Sequence, residues 1–174
     1  MRKTASVFLT VSLMAACADS DVKLSTEPDV LVVPVFAHVA TQFRAHASGS
    51  EEVPANDSRA QGNATFKLND DGTLSYKLIV ANIENVTQSH IHQAARGVNG
   101  GIVVWLYPAA PPAQLIEGTS QGILAEGTIT DAQVIGGLAG QGVAGLLEQM
   151  RAGNTYVNVH TSRFPPGEVR GQIH

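Results

Sequence analysis

The chain has 174 residues, of which 44% are hydrophobic, 5% aromatic and 15% charged, and its formal net charge is −4. This length suits one domain with a sizeable core and leaves little room for a second. The acidic balance offers none of the basic surface that nucleic-acid binding requires, so we expect no nucleic-acid partner.

The first residues have the pattern of an export signal. Arg2 and Lys3 precede the apolar stretch 5–14, which is too short to cross a bilayer as a mature helix. The run LMAAC at 13–17 then resembles a bacterial lipobox, in which the cysteine is lipidated and becomes the mature N-terminus. The alternative is an ordinary signal cleaved near Ala16, with Cys17 incidental.

Cys17 is the only cysteine, and a lone thiol in an exported protein needs an explanation, so we favour lipidation. Two or more acyl chains give stable anchoring, which makes the membrane a partner and predicts an exported protein facing the periplasm or cell surface. The lipidated domain would then have no thiol, so any metal would be held by His, Asp or Glu.

Residues 1–17 are thus predicted to be a signal peptide, 18–41 a tether and 42–174 the folded domain. The tether is polar at first and then apolar at 30–36, with Pro34 inside the apolar run. Since proline is tolerated only at sheet edges, this run is either an edge strand or a linker.

From Gln42 onward, short apolar stretches alternate with polar residues or with turn signals. The sequence NDDG at 69–72 predicts a hairpin. Predicted strands lie near 43–47, 64–68, 74–78, 102–107, 123–129, 156–160 and 168–173. This pattern indicates an all-β fold, a Greek-key β-sandwich or barrel of short antiparallel strands.

One short covering helix is predicted at 143–152. Val143, Leu146, Leu147 and Met150 share a helical face, and Gly153 is placed to end the helix.

Three histidines are predicted to project from one face of the sheet. Ile91 should face the core, so that His90 and His92 share the outer face, where His160 of a later strand should join them. Residues i and i+2 are about 6.6 Å apart along a strand, close enough for two imidazoles to lean onto one ion. An all-imidazole set suits copper or zinc, whereas calcium and magnesium prefer oxygen ligands. The alternative is a polar outer face that merely carries histidines.

Two charged residues are predicted near this face. Glu168 and Arg170 should both point outward because Val169 points inward. They are either a surface ion pair of little energetic value, which we favour, or a second shell that places a cation near the histidines. No ligand role is predicted for His46.

The chain resembles the CHRD domain family, named for chordin, over about 42–173. The matching stretches are EEVP (51–54), LNDDGTL (68–74), NVT (85–87), SHIH (89–92), GVNGGIVVWLY (97–107), GNTYVNVHT (153–161) and PGEVRGQI (166–173). Ala55 and Gly101 stand where the family usually has proline. The family includes chordin-like animal proteins and many bacterial secreted proteins, and the resemblance implies no general activity.

A weaker resemblance is to copper/zinc superoxide dismutase, a Greek-key barrel that binds copper through a His-x-His pair and a later histidine. His90, His92 and His160 match those three. The chain lacks the bridging histidine, the zinc-binding loop and the disulfide, so dismutase activity is a remote alternative.

These observations favour a lipid-anchored metal-binding domain of the cell envelope. The alternative, from another class, is a metal-free interaction or adhesion module that presents loops such as 107–118 to a partner. No catalytic residues are predicted, since the chain has no Gly-x-Ser-x-Gly elbow, no His-Glu-x-x-His motif and no phosphate loop.

Overall fold

The computed structural model describes residues 39–174, so the predicted signal peptide, Cys17 and most of the predicted tether lie outside the described residues. Seven strands and one α-helix form the described part. Their bounds are β1 Gln42–Ser48, β2 Gln61–Leu68, β3 Leu74–Gln93, β4 Gly101–Tyr107, β5 Ile116–Ile129, α1 Gly142–Arg151, β6 Thr155–Thr161 and β7 Val169–Gln172.

Five of the strands close a ring of antiparallel pairings, in the order β1, β2, β3, β6 and β7. Strands β1 and β7 complete the ring through the pair Ser48 and Arg170. Beyond that pair, the backbones of Arg44 and His174 exchange two hydrogen bonds of 2.9 and 3.0 Å. Strands β4 and β5 both attach to β3. The predicted all-β sandwich or barrel is therefore confirmed.

Strand β3 is the structural centre because it pairs with four other strands. Its first part, Leu74–Ala81, lies between β2 and β5, whereas its last part lies between β6 and β4. The bend between the parts contains Asn82 and Asn85 at φ of 55° and 53°, a conformation that asparagine tolerates better than most residues. Strands β3 and β5, with 20 and 14 residues, are longer than the stretches predicted from the sequence, because bulges bend a long strand without a turn.

The apolar core contains the hydrophobic residues that point inward at alternate positions along the strands. Phe43, Ala45 and Ala47 of β1 are buried, and their neighbours Arg44 and His46 are exposed. This alternation is the one that the sequence predicts.

Helix α1 covers one part of this core with the predicted face. Val143, Leu146, Leu147 and Met150 are all buried. Gly153 has φ of 69° and donates its N–H to the carbonyl of Met150, which ends the helix as predicted. Among residues 39–174, no helix is long and apolar enough to span a membrane.

Every residue of strand β6 is buried, as are the four residues of its neighbour β7. Val157 and Val159 belong to the apolar core. The opposite face carries Tyr156, Asn158 and His160, which are covered as well. The molecule therefore has a second, polar interior outside the apolar one.

Candidate metal centre

Three histidines meet in the polar interior, where β3 and β6 run side by side. His90 and His92 lie on β3 and His160 lies on β6, two residues along from the partner of His90. Each ring offers one nitrogen, and these three nitrogens lie within 4.8 Å of one another. The structure thus brings together the three residues that the sequence singles out, on the face opposite Ile91.

The burial of this cluster corrects the sequence-based picture of an open outer face. His90, His92 and His160 are only 0%, 9% and 6% exposed. Segments 94–100 and 162–167, which follow β3 and β6, lie against them and supply hydrogen bonds. Strand periodicity gives the direction of a side chain, but it does not show whether a distant loop folds over it.

Two of the rings are oriented by backbone carbonyls. The Nδ1 atom of His92 lies 3.0 Å from the carbonyl oxygen of Gly100, and that of His160 lies 2.9 Å from the carbonyl oxygen of Pro165. A carbonyl only accepts hydrogen bonds, so each Nδ1 must carry the proton. The Nε2 lone pair of each ring is then available, as in metal-binding histidines whose other nitrogen is held by the protein.

The third ring completes the arrangement. Nδ1 of His90 lies 3.2 Å from Nε2 of His160. Two nitrogens that share one ion at about 2.0–2.1 Å with tetrahedral angles are separated by about 3.3 Å, which is close to this value. Nε2 of His90 and Nε2 of His92 are buried without a hydrogen-bond partner among the described residues. Because buried polar atoms are normally paired, the unpaired Nε2 of His92 fits a site for an ion. Nε2 of His90 points away from Nδ1 of the same ring, so it is not the nitrogen that would share an ion with His160.

Burial keeps all three rings neutral. Burial, followed by electrostatic interaction with His160 and His92, lowers the pKa of His90 to about 3. Burial is also the main reason why the pKa of His92 is lowered to about 4 and why the pKa of His160 is lowered. Neutral imidazole is the form that binds a metal, so the cluster is ready to bind near neutral pH.

Aromatic side chains hold two of the rings. Trp105 of β4 meets His90 edge-on, with 4.3 Å between ring centres. Tyr156 stacks on His92 at 4.9 Å and is nearly parallel to it, at 8°. The hydroxyl of Tyr156 accepts a hydrogen bond from the N–H of Gly100, which fixes the segment that orients His92.

Arg170 lies behind Tyr156 and is buried, with 2% exposure. Its guanidinium carbon is 3.5 Å from the centre of the Tyr156 ring. It donates hydrogen bonds to the side chain of Asn99 and to the carbonyl of Val98. The favoured prediction of a surface ion pair with Glu168 is wrong, because segment 94–100 covers this face and supplies the partners of Arg170.

Glu168 is also buried and lies apart from the histidine rings. Its two carboxylate oxygens accept hydrogen bonds from the hydroxyls of Ser58 and Thr161, at 2.6 and 2.7 Å. Glu168 therefore holds the loop before β2 and the end of β6 together, and it makes no hydrogen bond to a histidine.

Glu52 is a further buried ionisable group, and sequence reasoning missed it. Its side chain is 8% exposed. Burial raises the pKa of this carboxyl to about 7, although Arg170 and a hydrogen bond from Asn158 act in the opposite direction. That hydrogen bond, from Nδ2 of Asn158, is 2.9 Å long. The only signal in the sequence is the EEVP stretch at 51–54.

His46 does not join the cluster. It is exposed on β1, and its Nδ1 lies 3.1 Å from the side-chain oxygen of Asn63 on β2. This position agrees with the absence of a predicted ligand role.

Comparison with known proteins identifies one family. A family model described as CHRD domain matches residues 43–173, a range that includes all three histidines and the buried charged groups around them. No curated protein matches the chain significantly. No solved structure does so either.

Proposed function

Because this chain belongs to the CHRD domain family over residues 43–173, and because that region holds a buried histidine cluster, we propose that it is a transition-metal-binding domain. The ligands are His90, His92 and His160. The observation that carries the proposal is the convergence of three neutral rings, together with a buried Nε2 of His92 that has no hydrogen-bond partner among the described residues.

The donor set supports copper or zinc as the bound metal. Imidazole nitrogens suit both ions, whereas calcium and magnesium take oxygen ligands. The carbonyls of Gly100 and Pro165 and the stacked ring of Tyr156 hold the ligands in place. We propose binding or storage of the ion as the function, since the proposal needs no reaction at the site.

Metal analysis tests this proposal directly. The full chain carrying Cys17→Ser, which removes the only thiol, is equilibrated with copper or zinc and then dialysed. We expect about one ion per chain. A His90→Ala/His92→Ala double variant should lose the ion, and His46→Ala should keep it. If the unaltered site retains neither metal, the proposal is wrong and the metal-free interaction module becomes the better hypothesis.

We further propose that the domain is anchored to the bacterial membrane through lipid on Cys17. The support is the sequence alone: the lipobox-like run, the short apolar stretch before it and the lack of any other cysteine. Cell fractionation tests the proposal. The full-length protein should sediment with membranes, and Cys17→Ser should release it or leave it unprocessed. Equal membrane association of the two forms would rule the anchor out.

A further inference from the structure

The histidine cluster supplies no negative charge to a bound ion. The three ligands are neutral, and no carboxylate joins them in the group of residues whose ligand atoms converge. Within residues 39–174, that group offers no fourth protein ligand, so a zinc ion bound there would take a water as its fourth ligand.

Arg170 stacks on Tyr156, which in turn stacks on His92, so a positive charge lies near the histidine cluster. The guanidinium of Arg170 lies 3.5 Å from the centre of the Tyr156 ring, and Tyr156 lies 4.9 Å from the centre of the His92 ring. These two distances together place the guanidinium carbon no more than about 8.4 Å from the His92 ring centre. Arg170 cannot move away, because three backbone or side-chain oxygens of segment 94–100 hold it.

Two buried carboxyls lie in the same polar interior, and neither is directed at the histidines. Glu52 accepts a hydrogen bond from Asn158, and Glu168 accepts its hydrogen bonds from Ser58 and Thr161. Burial raises the pKa of Glu52 to about 7, so this group is only partly ionised near neutral pH. Neither carboxyl therefore supplies a negatively charged ligand to the cluster.

We propose that this site selects a monovalent ion, copper(I), over the divalent zinc ion. The inference rests on the proposed metal-binding function and deepens it. The cost of burying an ion grows with the square of its charge, so a divalent ion pays about four times as much as a monovalent ion of equal size. Repulsion from Arg170 is proportional to the charge and is doubled for a divalent ion. A three-nitrogen set also makes zinc depend on a water as its fourth ligand, and the three rings are at most 9% exposed.

A competition experiment measures the selection. The full chain carrying Cys17→Ser is titrated without oxygen against a chromogenic chelator, once with copper(I) under a reductant and once with zinc. Both titrations are run near neutral pH. We expect the dissociation constant for copper(I) to be lower than that for zinc by at least about tenfold, which corresponds to a difference of about 1.4 kcal/mol in binding free energy.

Arg170→Gln tests the physical cause. Removing the guanidinium charge should improve zinc binding relative to copper(I) by roughly thirtyfold, as expected for one additional unit charge about 8.4 Å away at an effective dielectric constant near 20. Arg170→Lys keeps the charge and serves as the matched control, so its ratio should stay near that of the parent. If Arg170→Gln does not fold, the ratio measured on the parent decides the proposal.

The outcomes separate this inference from the proposed function. Zinc binding as tightly as copper(I), or a ratio that Arg170→Gln leaves unchanged, would overturn the selection while leaving the histidine site intact. Failure of both ions to bind would overturn the proposed function itself.

Discussion

The Nδ1–H group of His160 donates a hydrogen bond of 2.9 Å to the carbonyl oxygen of Pro165, five residues farther along the chain. The loop after β6 therefore decides which nitrogen of this ring faces the other histidines. The carbonyl of Gly100 does the same for His92 from the loop before β4. Two ligands are thus oriented before any ion binds, and neither has to exchange a proton between its nitrogens when an ion arrives.

Bound metal should stabilise the fold, because the unfolded chain does not hold the three ligands together. At free metal about one hundred times the dissociation constant, mass action contributes about 2.7 kcal/mol, which should raise the melting temperature by several degrees. His160→Ala should abolish this rise. Because the ring is buried, the variant should also lose about 1–3 kcal/mol of metal-free stability. Calorimetry with and without copper or zinc measures both effects.

His46→Ala is the control for this experiment, since His46 is exposed on β1 and outside the cluster. It should retain both the rise and the metal-free melting temperature. A loss of the rise as complete as that of His160→Ala would show that the ligand set is wrong.

The metal-free domain should lose stability in acid. Burial lowers the pKa of His90 to about 3 and that of His92 to about 4, below the value of 6.5 for a free histidine. The unfolded chain then binds more protons, so the stability due to these neutral rings is fully present above pH 6.5 and is lost as the pH falls toward 4 and 3. Urea midpoints measured across this range should fall with pH. A constant midpoint between 6.5 and 4 would contradict the burial of neutral rings.

Glu52 should act in the opposite direction. Its pKa is raised from 4.5 to about 7, mainly by burial. The folded state therefore binds the extra proton, and this contribution is present below pH 4.5 and lost as the pH rises through 7. Glu52→Gln keeps the shape without the titration. Relative to the parent, it should become more stable by about 2 kcal/mol between pH 4.5 and 7.5, as read from urea unfolding. A difference that does not change with pH would show that Glu52 titrates normally.

The hydroxyl of Tyr156 should matter because it accepts the N–H of Gly100. Tyr156→Phe removes this acceptor and should cost about 1 kcal/mol in unfolding experiments. It should also weaken metal binding moderately, because segment 94–100 orients His92. Tyr107→Phe is the matched control, since the hydroxyl of Tyr107 has no hydrogen bond to the described residues. Equal losses in the two variants would show that the hydroxyl of Tyr156 has no special role.

Closure of the ring of strands should depend on Gly171. A Cβ atom at this position of β7 would overlap the backbone carbonyl of His46 on β1. Gly171→Ala must therefore push the two strands apart and should destabilise the domain by about 2 kcal/mol or more. Gly101→Ala, where a Cβ would meet nothing within 4 Å, should be nearly neutral. Thermal unfolding of the two variants gives the comparison, and equal melting temperatures would contradict the close approach of β1 and β7.

Periodicity was enough to predict the inward faces of the strands. The buried alternation of β1 and the apolar face of α1 follow directly from residue spacing, because one face of each element must leave water. Strand alternation also placed His90 and His92, two residues apart, on one face of β3. It placed His160 on the same face of a different strand. Register between β3 and β6 then brought them together, and no local pattern encodes that register.

Loop coverage could not be predicted from spacing. No pattern in segment 94–100 predicted that it would cover another part of the chain, yet it buries the cluster and supplies the partners of Arg170. Glu52 was missed for the same reason, because its burial depends on Asn158 and other residues more than one hundred positions away. The predicted loop 107–118 overlaps the start of β5, which begins at Ile116.

Because the three histidines are covered, occupancy of the proposed metal site should depend on the rates of ion binding and release as well as on affinity. Rings that are at most 9% exposed cannot exchange an ion with solvent unless segment 94–100 or 162–167 opens locally. The lifetime of a bound ion is therefore set by the rate of that opening. A chain that acquires its ion while it folds would keep that ion long after the surrounding metal concentration has changed, and the site would record the conditions of folding.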